Sequence, residues 1–395
     1  MPWKETCVKD QRQKFVLECL SKEENMTTLC EAYDISRRTG YKWLERFHQS
    51  GWTGLLDQSR APSVHPNATA EKIMDEVIAL RQKHSSWGPK KIRARLQKID
   101  PTTVWPAAST IGQRLTRDGL VRSRKRKRRT PPFDGPLRVG LQPNEVWSAD
   151  FKGWFRTQDA TRIDPLTLTD NASRYLLHCQ ALRSTNGLSV RAQFERVFRE
   201  YGLPQRIRTD NGTPFASTAL GGLSCLSVWW IRLGIVPERI ALGQPQENGR
   251  HERMHRTLKQ DTAMPPKASF AAQQTAFDDY RRLYNDERPH EALGMQCPSD
   301  FYRPSEQSFP ARLPELVYPG HYVLRRVRHN GEIKWRGHYI YVSVVLHGQT
   351  IGLDPIDEDH FTIYFGPMRL AFFDARTGTI QSLKTTSKVL PMCPV

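Results

Sequence analysis

Apolar and polar residues recur with a different period in each of three stretches of the chain, and each period predicts its own class of structure. Between residues 10 and 119, apolar residues lie three or four positions apart, which predicts amphipathic helices. Between residues 146 and 285, short apolar runs alternate with helical patterns, which predicts one sheet packed with helices. After Pro304, apolar and polar residues alternate in short runs, which predicts a small all-β domain, a barrel or a sandwich.

The predicted elements of the central stretch alternate in type along the chain. Strands are predicted over 146–154, 166–169, 174–180, 205–209 and 235–240. Helices are predicted over 188–201, 223–233, 246–261 and 270–285. In the last stretch, strands are predicted over 322–327, 332–335, 338–345, 350–353, 360–364 and 370–374.

The first helical segment, over residues 10–47, has the pattern of a helix-turn-helix motif. Either Thr27 or Thr28 is placed to cap one helix, and Ser36 is placed to cap the next one after a short turn. The second helix carries candidate DNA contacts in its first turns, namely Arg37, Arg38 and Lys42. An ordinary helical hairpin has the same pattern and stays open as an alternative.

A second helical segment, residues 66–121, follows a stretch rich in Gly and Pro, 51–66, which predicts a linker. Its helices are predicted over 70–84, from Pro89 onwards and over 106–117. The candidate DNA contacts on these helices are Lys90, Lys91 and Arg114. A purely structural three-helix unit is the alternative interpretation of this segment.

Basic residues are concentrated in the first third of the chain. The net charge is +18, and residues 1–135 hold 27 Lys and Arg against 15 Asp and Glu. A dense basic run supplies six more candidate phosphate contacts, namely Arg124, Lys125, Arg126, Lys127, Arg128 and Arg129. This asymmetry favours a polyanionic partner such as nucleic acid, with a solvated basic surface as the alternative.

Other features of the sequence exclude some classes of protein. The seven cysteines are scattered, without a Cys-x-x-Cys pair, which favours reduced thiols over disulfides or a structural zinc site. No apolar run approaches the roughly 18–20 residues that cross a bilayer, and the N-terminus has no apolar signal core. We therefore expect a cytoplasmic chain without a membrane partner.

Three carboxylates stand where a metal ligand is plausible. Asp150 ends an apolar strand pattern, and Asp210 ends another just before an Asn-Gly turn. Glu252 lies on a predicted helix, and the candidate DNA contacts Arg256 and Lys259 share its face. Taken singly, each aspartate is typical of a turn or cap, and the helix face is typical of a surface ion-pair ladder. Taken together, the three carboxylates suit a pair of Mg2+ ions in phosphoryl transfer.

Four motifs around these residues occur in an order that identifies a family. They resemble the DDE transposases and retroviral-type integrases, closest to the bacterial insertion-sequence group. The resemblance covers residues 140–300 strongly, and the N-terminal region more loosely. The motifs that carry it are Trp147-Ser148-Ala149-Asp150, Thr209-Asp210-Asn211-Gly212-Thr213-Pro214-Phe215, Pro245-Gln246-Glu247-Asn248-Gly249-Arg250-His251-Glu252-Arg253 and Tyr284-Asn285-Asp286-Glu287-Arg288-Pro289-His290.

The resemblance leaves two glutamates as candidates for the third carboxylate. In the family this residue lies three positions after the motif glycine and seven before a lysine, which corresponds to Glu252 between Gly249 and Lys259. Glu247 is the competitor, because it lies closer to the family's usual distance from Asp210. A short insertion at 221–225 explains the longer gap, so we favour Glu252.

The resemblance implies an RNase H-like fold, two Mg2+ or Mn2+ ions at Asp150, Asp210 and Glu252, DNA cleavage at the ends of a mobile element, and strand transfer. It also implies a homo-oligomer that holds double-stranded DNA, in a bacterial, nucleoid-associated setting. The expected parts are a helix-turn-helix over 1–60, a second such unit over 66–121, a basic linker over 122–139, the catalytic core over 140–303 and a β-barrel-like tail over 304–395. The alternatives are a catalytically retired, domesticated DNA-binding regulator and a nuclease that only hydrolyses.

Overall fold

A computed structural model describes residues 7–58, 68–121, 137–241 and 244–382, with the side chains of residues 245 and 246 left out. The chain divides into two compact units, residues 1–68 and residues 69–395. The predicted basic run, from Arg124 to Arg129, lies outside the described residues, as does the second half, 59–66, of the predicted linker at 51–66.

The first unit is a small helical bundle. Its helices are α1 (Val8–Ser21), α2 (Met26–Ala32) and α3 (Arg37–Ser50). Ser36 caps α3, as the sequence predicts, by accepting the N–H of Thr39 over 3.2 Å. The predicted cap of α2 was wrong, because this helix begins one turn earlier. Asn25 caps it by accepting the N–H of Thr28 over 3.0 Å.

The core of this unit extends into the predicted linker. Residues Gly51–Leu55 form a 3-10 turn, and the Leu55 side chain is fully buried with Phe15, Val16 and Leu29. The prediction of a linker from residue 51 was therefore wrong for this part. The turn that contains Gly51 and Gly54 places the apolar side chain of Leu55 in the core. The six cysteines among the described residues are all free thiols.

The second unit begins with three further helices. They are α4 (Glu71–Lys83), α5 (Pro89–Ile99) and α6 (Ala108–Arg117). Pro89 stands in the first turn of α5, where its missing N–H costs nothing. The three helices enclose an apolar cluster made of Val77, Trp87, Ile92, Leu96, Trp105, Ile111 and Leu115.

A mixed sheet forms the centre of the second unit. Its strands are β1 (Val146–Phe151), β2 (Phe155–Arg156), β3 (Arg162–Asp170), β4 (Leu176–Leu182), β5 (Arg206–Thr209) and β6 (Val236–Arg239). The strand order is β2-β3-β1-β5-β6, and β4 pairs with β3. β1, β5 and β6 run parallel, whereas β3 runs antiparallel to β1 and β4.

Three strands in this region differ most from the predictions. The predicted strand 146–154 ends at Phe151, because Gly153 adopts a left-handed conformation with φ of 86° and the chain turns back. β3 is longer than predicted, since it is buried along eight of its nine residues. The two-residue strand β2 was not predicted.

Helices cover the sheet. They are α7 (Gly187–Tyr201), α8 (Cys225–Arg232), α9 (Gly249–Thr262), α10 (Phe270–Arg282) and α11 (Pro298–Phe301). One apolar cluster joins α7 and α8 to the sheet, and it includes Phe194, Phe198 and Trp230. Another joins α9 and α10 to it and includes Met254, Leu258 and Phe277. The sheet, covered in this way by helices, is the RNase H-like core that the sequence predicts.

The C-terminal region is all-β, as predicted. Its strands are β7 (Val323–Arg326), β8 (Glu332–Trp335), β9 (His338–Tyr341), β10 (Thr350–Pro355), β11 (His360–Phe365), β12 (Met368–Asp374) and β13 (Thr379–Ser382). Five strands form an antiparallel sheet in the order β13-β12-β11-β10-β7, and β8 pairs with β9. The predicted strand 338–345 ends at Tyr341, because Val344–Leu346 forms a 3-10 turn.

Candidate metal centre and nucleic-acid interface

Two neighbouring parallel strands bring Asp150 and Asp210 to the same level of the sheet. β1 pairs with β5 in a register that sets Ser148 opposite Arg208. Two residues further along, Asp150 on β1 is level with Asp210, the first residue after β5. Because side chains two residues apart point to one face and neighbouring strands lie about 4.8 Å apart, both carboxylates emerge side by side.

The pKa of Asp150 depends on its burial and on both of the other candidate carboxylates. Its side chain is 22% exposed. Burial raises the pKa of Asp150 well above its ordinary value, and the negative charges of Asp210 and Glu252 raise it further. Burial also raises the pKa of Asp210. A bound cation would relieve this mutual repulsion, so the cluster has the electrostatic character of a cation site.

The two candidate glutamates have different surroundings. Glu252 lies in the first turn of α9, where burial raises its pKa and the charge of Arg256 opposes that shift. Glu247 lies in a 3-10 turn, Pro245–Asn248, just before the helix. One of its carboxylate oxygens accepts a hydrogen bond from the N–H of Ala241 over 2.7 Å, so Glu247 is bonded to the chain six residues before it. These contacts favour Glu252 as the residue that faces the aspartates.

The Asn-Gly turn after Asp210 orients its carboxylate. The N–H of Gly212 donates to Oδ1 of Asp210 over 3.1 Å. The amide of Asn211 donates to the carbonyl oxygen of Ile240 over 2.7 Å, which ties the turn to the end of β6. A Cβ at Gly212 would lie 3.0 Å from Oδ2 of Asp210, so a larger residue here would require the carboxylate to shift by a few tenths of an ångström.

Two histidines at the site were missed by the sequence interpretation. His251 and His255 are buried on the face of α9 that packs against β3. The Thr167 hydroxyl oxygen lies 2.7 Å from Nε2 of His251 and 2.6 Å from Nε2 of His255. Their spacing of four residues on either side of Glu252 was the available signal, since it places both rings on one helix face.

Burial disfavours the charged form of both histidines. Burial lowers the pKa of His251 to about 3. Burial also lowers the pKa of His255 well below its ordinary value, and the neighbouring His251 and Lys152 lower it further. Nδ1 of His255 lies 3.7 Å from Oδ2 of Asp150. Neutral imidazoles beside carboxylates form a donor set that fits a divalent metal ion.

Within the described residues, Asp150, His251 and His255 offer one ligand atom each, all within 4.8 Å of one another. Among the described residues, the group within this distance does not include Asp210 or Glu252, so their part in a metal centre stays a prediction. A cation at this position would lie at the carboxyl ends of two parallel strands, where the sheet meets α9. The arrangement can bind a metal ion and bring it to a phosphodiester, because carboxylate oxygens are preferred by Mg2+ and Mn2+.

The candidate DNA contacts fall into two groups in the structure. Arg37, Arg38 and Lys42 are exposed on α3, and Arg256 is exposed on α9, while Lys259 is half-buried. Lys259 lies near Lys152, whose pKa is lowered by burial and by the charge of Lys259. These side chains can reach a ligand.

The candidate contacts on α5 and α6 bind other parts of the protein instead. Lys90 forms an ion pair with Glu291 over 2.9 Å. Arg114 forms ion pairs with Glu71 and Asp118. Lys91 is half-buried, and its pKa is lowered to about 7 by burial and by the charge of Arg288. Their role as DNA contacts stays a prediction.

Ion pairs along α5 join this helix to the region beyond α10. Arg95 pairs with Glu287 over 3.1 Å, and Lys98 pairs with Asp300 over 3.3 Å. The partners lie between residues 287 and 300, beyond the end of α10. The basic face of α5 therefore binds carboxylates of the same chain.

Comparisons with known families match the two regions that carry these features. Residues 140–245 and residues 233–298 each match a model described as Integrase core domain. Residues 11–63 match a model described as Helix-turn-helix domain. Residues 39–115 match one described as Homeodomain-like domain.

Two insertion-element proteins are similar to this chain. One is the insertion element IS407 uncharacterized 31.7 kDa protein of Burkholderia multivorans, which is 30% identical over 217 residues, 52% of this chain and 73% of that protein. The other is the insertion element IS476 uncharacterized 39.2 kDa protein of Xanthomonas euvesicatoria, which is 25% identical over 60% of this chain and 66% of that protein.

Solved integrase structures are also similar, at low identity. A simian T-cell lymphotropic virus intasome chain is 16% identical, with a TM-score of 0.37 over 74% of this chain and 98% of that chain. The HTLV-2 integrase catalytic core domain in complex with magnesium is 16% identical, with a TM-score of 0.33 over 42% of this chain and 99% of that chain. Among the described residues, no helix is both long enough and apolar enough to cross a membrane.

Proposed function

Because the chain belongs to the integrase core family, together with proteins of bacterial insertion elements, we propose that it is a DDE transposase that binds the ends of a mobile element and cuts and joins DNA there. The family membership and the helix-turn-helix region support a transposase or integrase of the insertion-element type. The proposal extends to the reaction itself and to the residues that perform it.

We assign the metal centre to Asp150, Asp210 and Glu252. Two observations support this assignment: the β1–β5 register sets Asp150 level with Asp210, and the charges of Asp210 and Glu252 add to burial in raising the pKa of Asp150. Two divalent ions bound there would activate the attacking oxygen and stabilise the leaving oxygen of a phosphodiester. The proposed role of the three side chains is to bind these divalent ions between β1, β5 and α9. Gly212 supports them by orienting Asp210.

The proposed reaction has two steps with balanced bonds. In the first, a water oxygen bonds to the phosphorus at the element end, and the 3′ oxygen leaves and takes up a proton. In the second, this 3′-hydroxyl attacks a phosphodiester of the target DNA, so a new P–O bond forms and the target's own 3′ oxygen leaves. Both steps exchange one P–O bond for another and need no external energy source.

Basic side chains are proposed to hold the DNA. Arg37, Arg38 and Lys42 on α3 contact the element's terminal repeats, and Arg256 and Lys259 contact the phosphates next to the metal centre. The basic run from Arg124 to Arg129 neutralises further phosphates. The exposure of the side chains on α3 supports this role, since phosphate contact requires solvent-accessible cations.

Each part of the chain that the sequence predicts is proposed to have its own role. We propose element-end binding by 1–60 and 66–121, a connecting role for 122–139, catalysis by 140–303 and a supporting β domain over 304–395. The active form is proposed to be a homo-oligomer that holds two DNA ends. The similarity to a viral intasome chain is too distant to support this point, which rests on the family alone.

The proposal is tested with the purified full-length chain on its element's terminal repeats. Cleavage and strand transfer are measured with Mg2+ and with Mn2+, for the wild type and for Asp150→Ala, Asp210→Ala, Glu252→Ala and Glu247→Ala. We expect each of the first three variants to lose at least about 1,000-fold in rate, since each removes a group that acts on the transition state. Glu247→Ala keeps most of its activity.

The outcomes separate the competing functions. If Glu247→Ala abolishes activity and Glu252→Ala spares it, the third carboxylate is assigned wrongly. A wild type that binds the repeats but cuts no DNA with either metal would support a domesticated regulator. Cleavage without any strand transfer would support a nuclease that only hydrolyses.

A further inference from the structure

The hydroxyl of Thr167 links the helix that carries Glu252 to the strand that carries Asp150. It donates a hydrogen bond to the main-chain carbonyl oxygen of Asp150 over 3.1 Å. The same oxygen lies within hydrogen-bond distance of Nε2 of both His251 and His255. A hydroxyl has one proton to donate and two lone pairs with which to accept, so both imidazoles must donate to it through Nε2.

This count determines the tautomer of each histidine. His251 donates through Nε2, and its Nδ1 lies 2.7 Å from the Thr169 hydroxyl, from which it accepts. Both ring nitrogens of His251 are therefore satisfied. His255 also carries its proton on Nε2, so its Nδ1 has a lone pair that can accept a hydrogen bond or bind a metal ion.

The lone pair of His255 points to the side of the ring where Asp150 lies. Nδ1 of His255 and Oδ2 of Asp150 are 3.7 Å apart, which is too far for a hydrogen bond. In this tautomer Nδ1 carries no proton, so when Asp150 is ionised two electron-rich atoms face each other in a buried place. Such a pair is stable only when a cation or a hydrogen-bond donor lies between them.

We propose that Nδ1 of His255 is a further ligand to the divalent metal ion that Asp150 holds, so that the centre has one imidazole ligand beside its carboxylates. This inference rests on the proposed function. Two ligand atoms that each lie about 2.1 Å from one ion are at most about 4.2 Å apart, and the 3.7 Å separation lies within that limit. A metal-binding imidazole whose other ring N–H donates to a neighbouring oxygen is the usual arrangement.

His251 provides the matched comparison. It lies on the same face of α9, one turn from His255, and its ring centre is 4.5 Å from that of His255. Both histidines are buried and both contact Thr167, so both attach α9 to β3. The difference is that His251 has no ring nitrogen left for a metal, because Thr169 occupies its Nδ1.

A nitrogen ligand changes which metal the centre prefers. Imidazole suits Mn2+ better than Mg2+, which prefers oxygen ligands. The wild-type centre should therefore favour Mn2+ over Mg2+ more strongly than a centre made of carboxylates alone. Replacement of His255 by an oxygen ligand should reduce that preference by about tenfold, while replacement of His251 should leave it unchanged.

The direct test is pulsed electron paramagnetic resonance on the full-length protein loaded with Mn2+. We expect a 14N hyperfine coupling from a directly bound imidazole in the wild type. The coupling should persist in His251→Asn and disappear in His255→Asn, whose amide keeps a donor for Thr167. Growth with 15N-histidine should change the wild-type coupling, which identifies the ligand as histidine without any variant that has to fold.

The possible results distinguish the imidazole ligand from the proposed metal centre itself. A wild-type protein that binds Mn2+ without nitrogen coupling, or with coupling that survives in His255→Asn, overturns the inference and leaves the carboxylate centre intact. A wild-type protein that binds no Mn2+, or binds it equally well as Asp150→Asn, contradicts the proposed metal centre itself. If His255→Asn fails to fold, 15N-histidine labelling of the wild type and of His251→Asn still decides: a histidine coupling that persists in His251→Asn supports His255, and its loss there overturns the inference.

Discussion

The main-chain N–H of Gly212 donates to Oδ1 of Asp210 over 3.1 Å, and the Gly212 Cα lies close against the same carboxylate. A Cβ at Gly212 would lie 3.0 Å from Oδ2 of Asp210 and 3.3 Å from Oδ1. The backbone of Gly212 is not left-handed, so alanine is tolerated by the chain itself. The tight contact at Gly212 is therefore with the Asp210 carboxylate and not a matter of backbone conformation.

We expect Gly212→Ala to displace Asp210 and to slow DNA cleavage by about 10- to 100-fold, because small displacements of a catalytic group are costly. The free energy of unfolding should change by less than about 1 kcal/mol. Gly187→Ala is the control, since a Cβ at this helix start meets open space. Equal activity of the two variants would show that the tight contact does not matter.

Thr167 should contribute to stability through its hydrogen bonds to α9. Thr167→Val leaves the Nε2–H groups of His251 and His255 buried without an acceptor, so the free energy of unfolding should fall by about 1–3 kcal/mol. Thr167→Ser keeps the hydroxyl and should restore most of the loss. Denaturant unfolding of both variants measures the difference, and a valine variant as stable as the serine variant would contradict the hydrogen-bond assignment.

Lys91 should make stability depend on pH above neutrality. Its pKa is about 7 in the folded protein and 10.5 in an ordinary setting, because burial and Arg288 disfavour the charge. Below pH 7 Lys91 is protonated in both the folded and the unfolded state, so folding includes the full free-energy cost of burying its charge. Between these values the folded state has already lost the proton, so the penalty disappears as pH rises.

Lys91→Met should therefore stabilise the protein by about 1–2 kcal/mol at pH 6, and the gain should vanish as the pH approaches 10. Thermal or denaturant unfolding across this range measures it. Lys90→Met is the control, because Lys90 is exposed and paired with Glu291. A gain in Lys91→Met that stays constant with pH would contradict the buried-charge interpretation.

The ion pair between Arg95 and Glu287 should couple α5 to the core. Its side chains are 20% and 34% exposed, so a double-mutant cycle with alanine should give a coupling energy of about 0.5–1.5 kcal/mol. The pair between Arg282 and Asp279 is the control, because it is exposed at 72% and 62% and should show almost no coupling. Equal coupling in both cycles would mean that α5 is not held to the core by this pair.

Removal of the cations on α3 should weaken DNA binding at all sequences. Arg37→Ala, Arg38→Ala and Lys42→Ala each remove one exposed cation, so each should lower the salt dependence of binding by about one phosphate contact. Fluorescence anisotropy at several salt concentrations measures the slope. Lys90→Ala should leave the slope unchanged, because Glu291 already binds this lysine; a lower slope would place α5 on DNA.

The order of local elements was readable from the sequence because it depends on periodicity. The strands that carry Asp150 and Asp210 were predicted within a few residues, since buried apolar runs and turn signals are local. The cap at Ser36 was predicted for the same reason. The cap of α2 and the end of the strand at Phe151 were not, because a single backbone conformation decides each of them.

The three carboxylates could be named from their flanking motifs, but their convergence could not be read from the chain. The register between β1 and β5 decides whether Asp150 lies level with Asp210, and that register is set by contacts between residues sixty positions apart. The same holds for Lys90 and Arg114, whose partners lie on other elements.

What the sequence determined by itself is the set of parts: the helical segments, the mixed core, the β tail and the three acidic residues with their motifs. These depend on local pattern and residue chemistry. Only the tertiary structure decided that His251 and His255 contact Thr167 while one of them keeps a lone pair beside Asp150. Hydrogen-bond stoichiometry involves three elements at once, and no local pattern of apolar and polar residues records it.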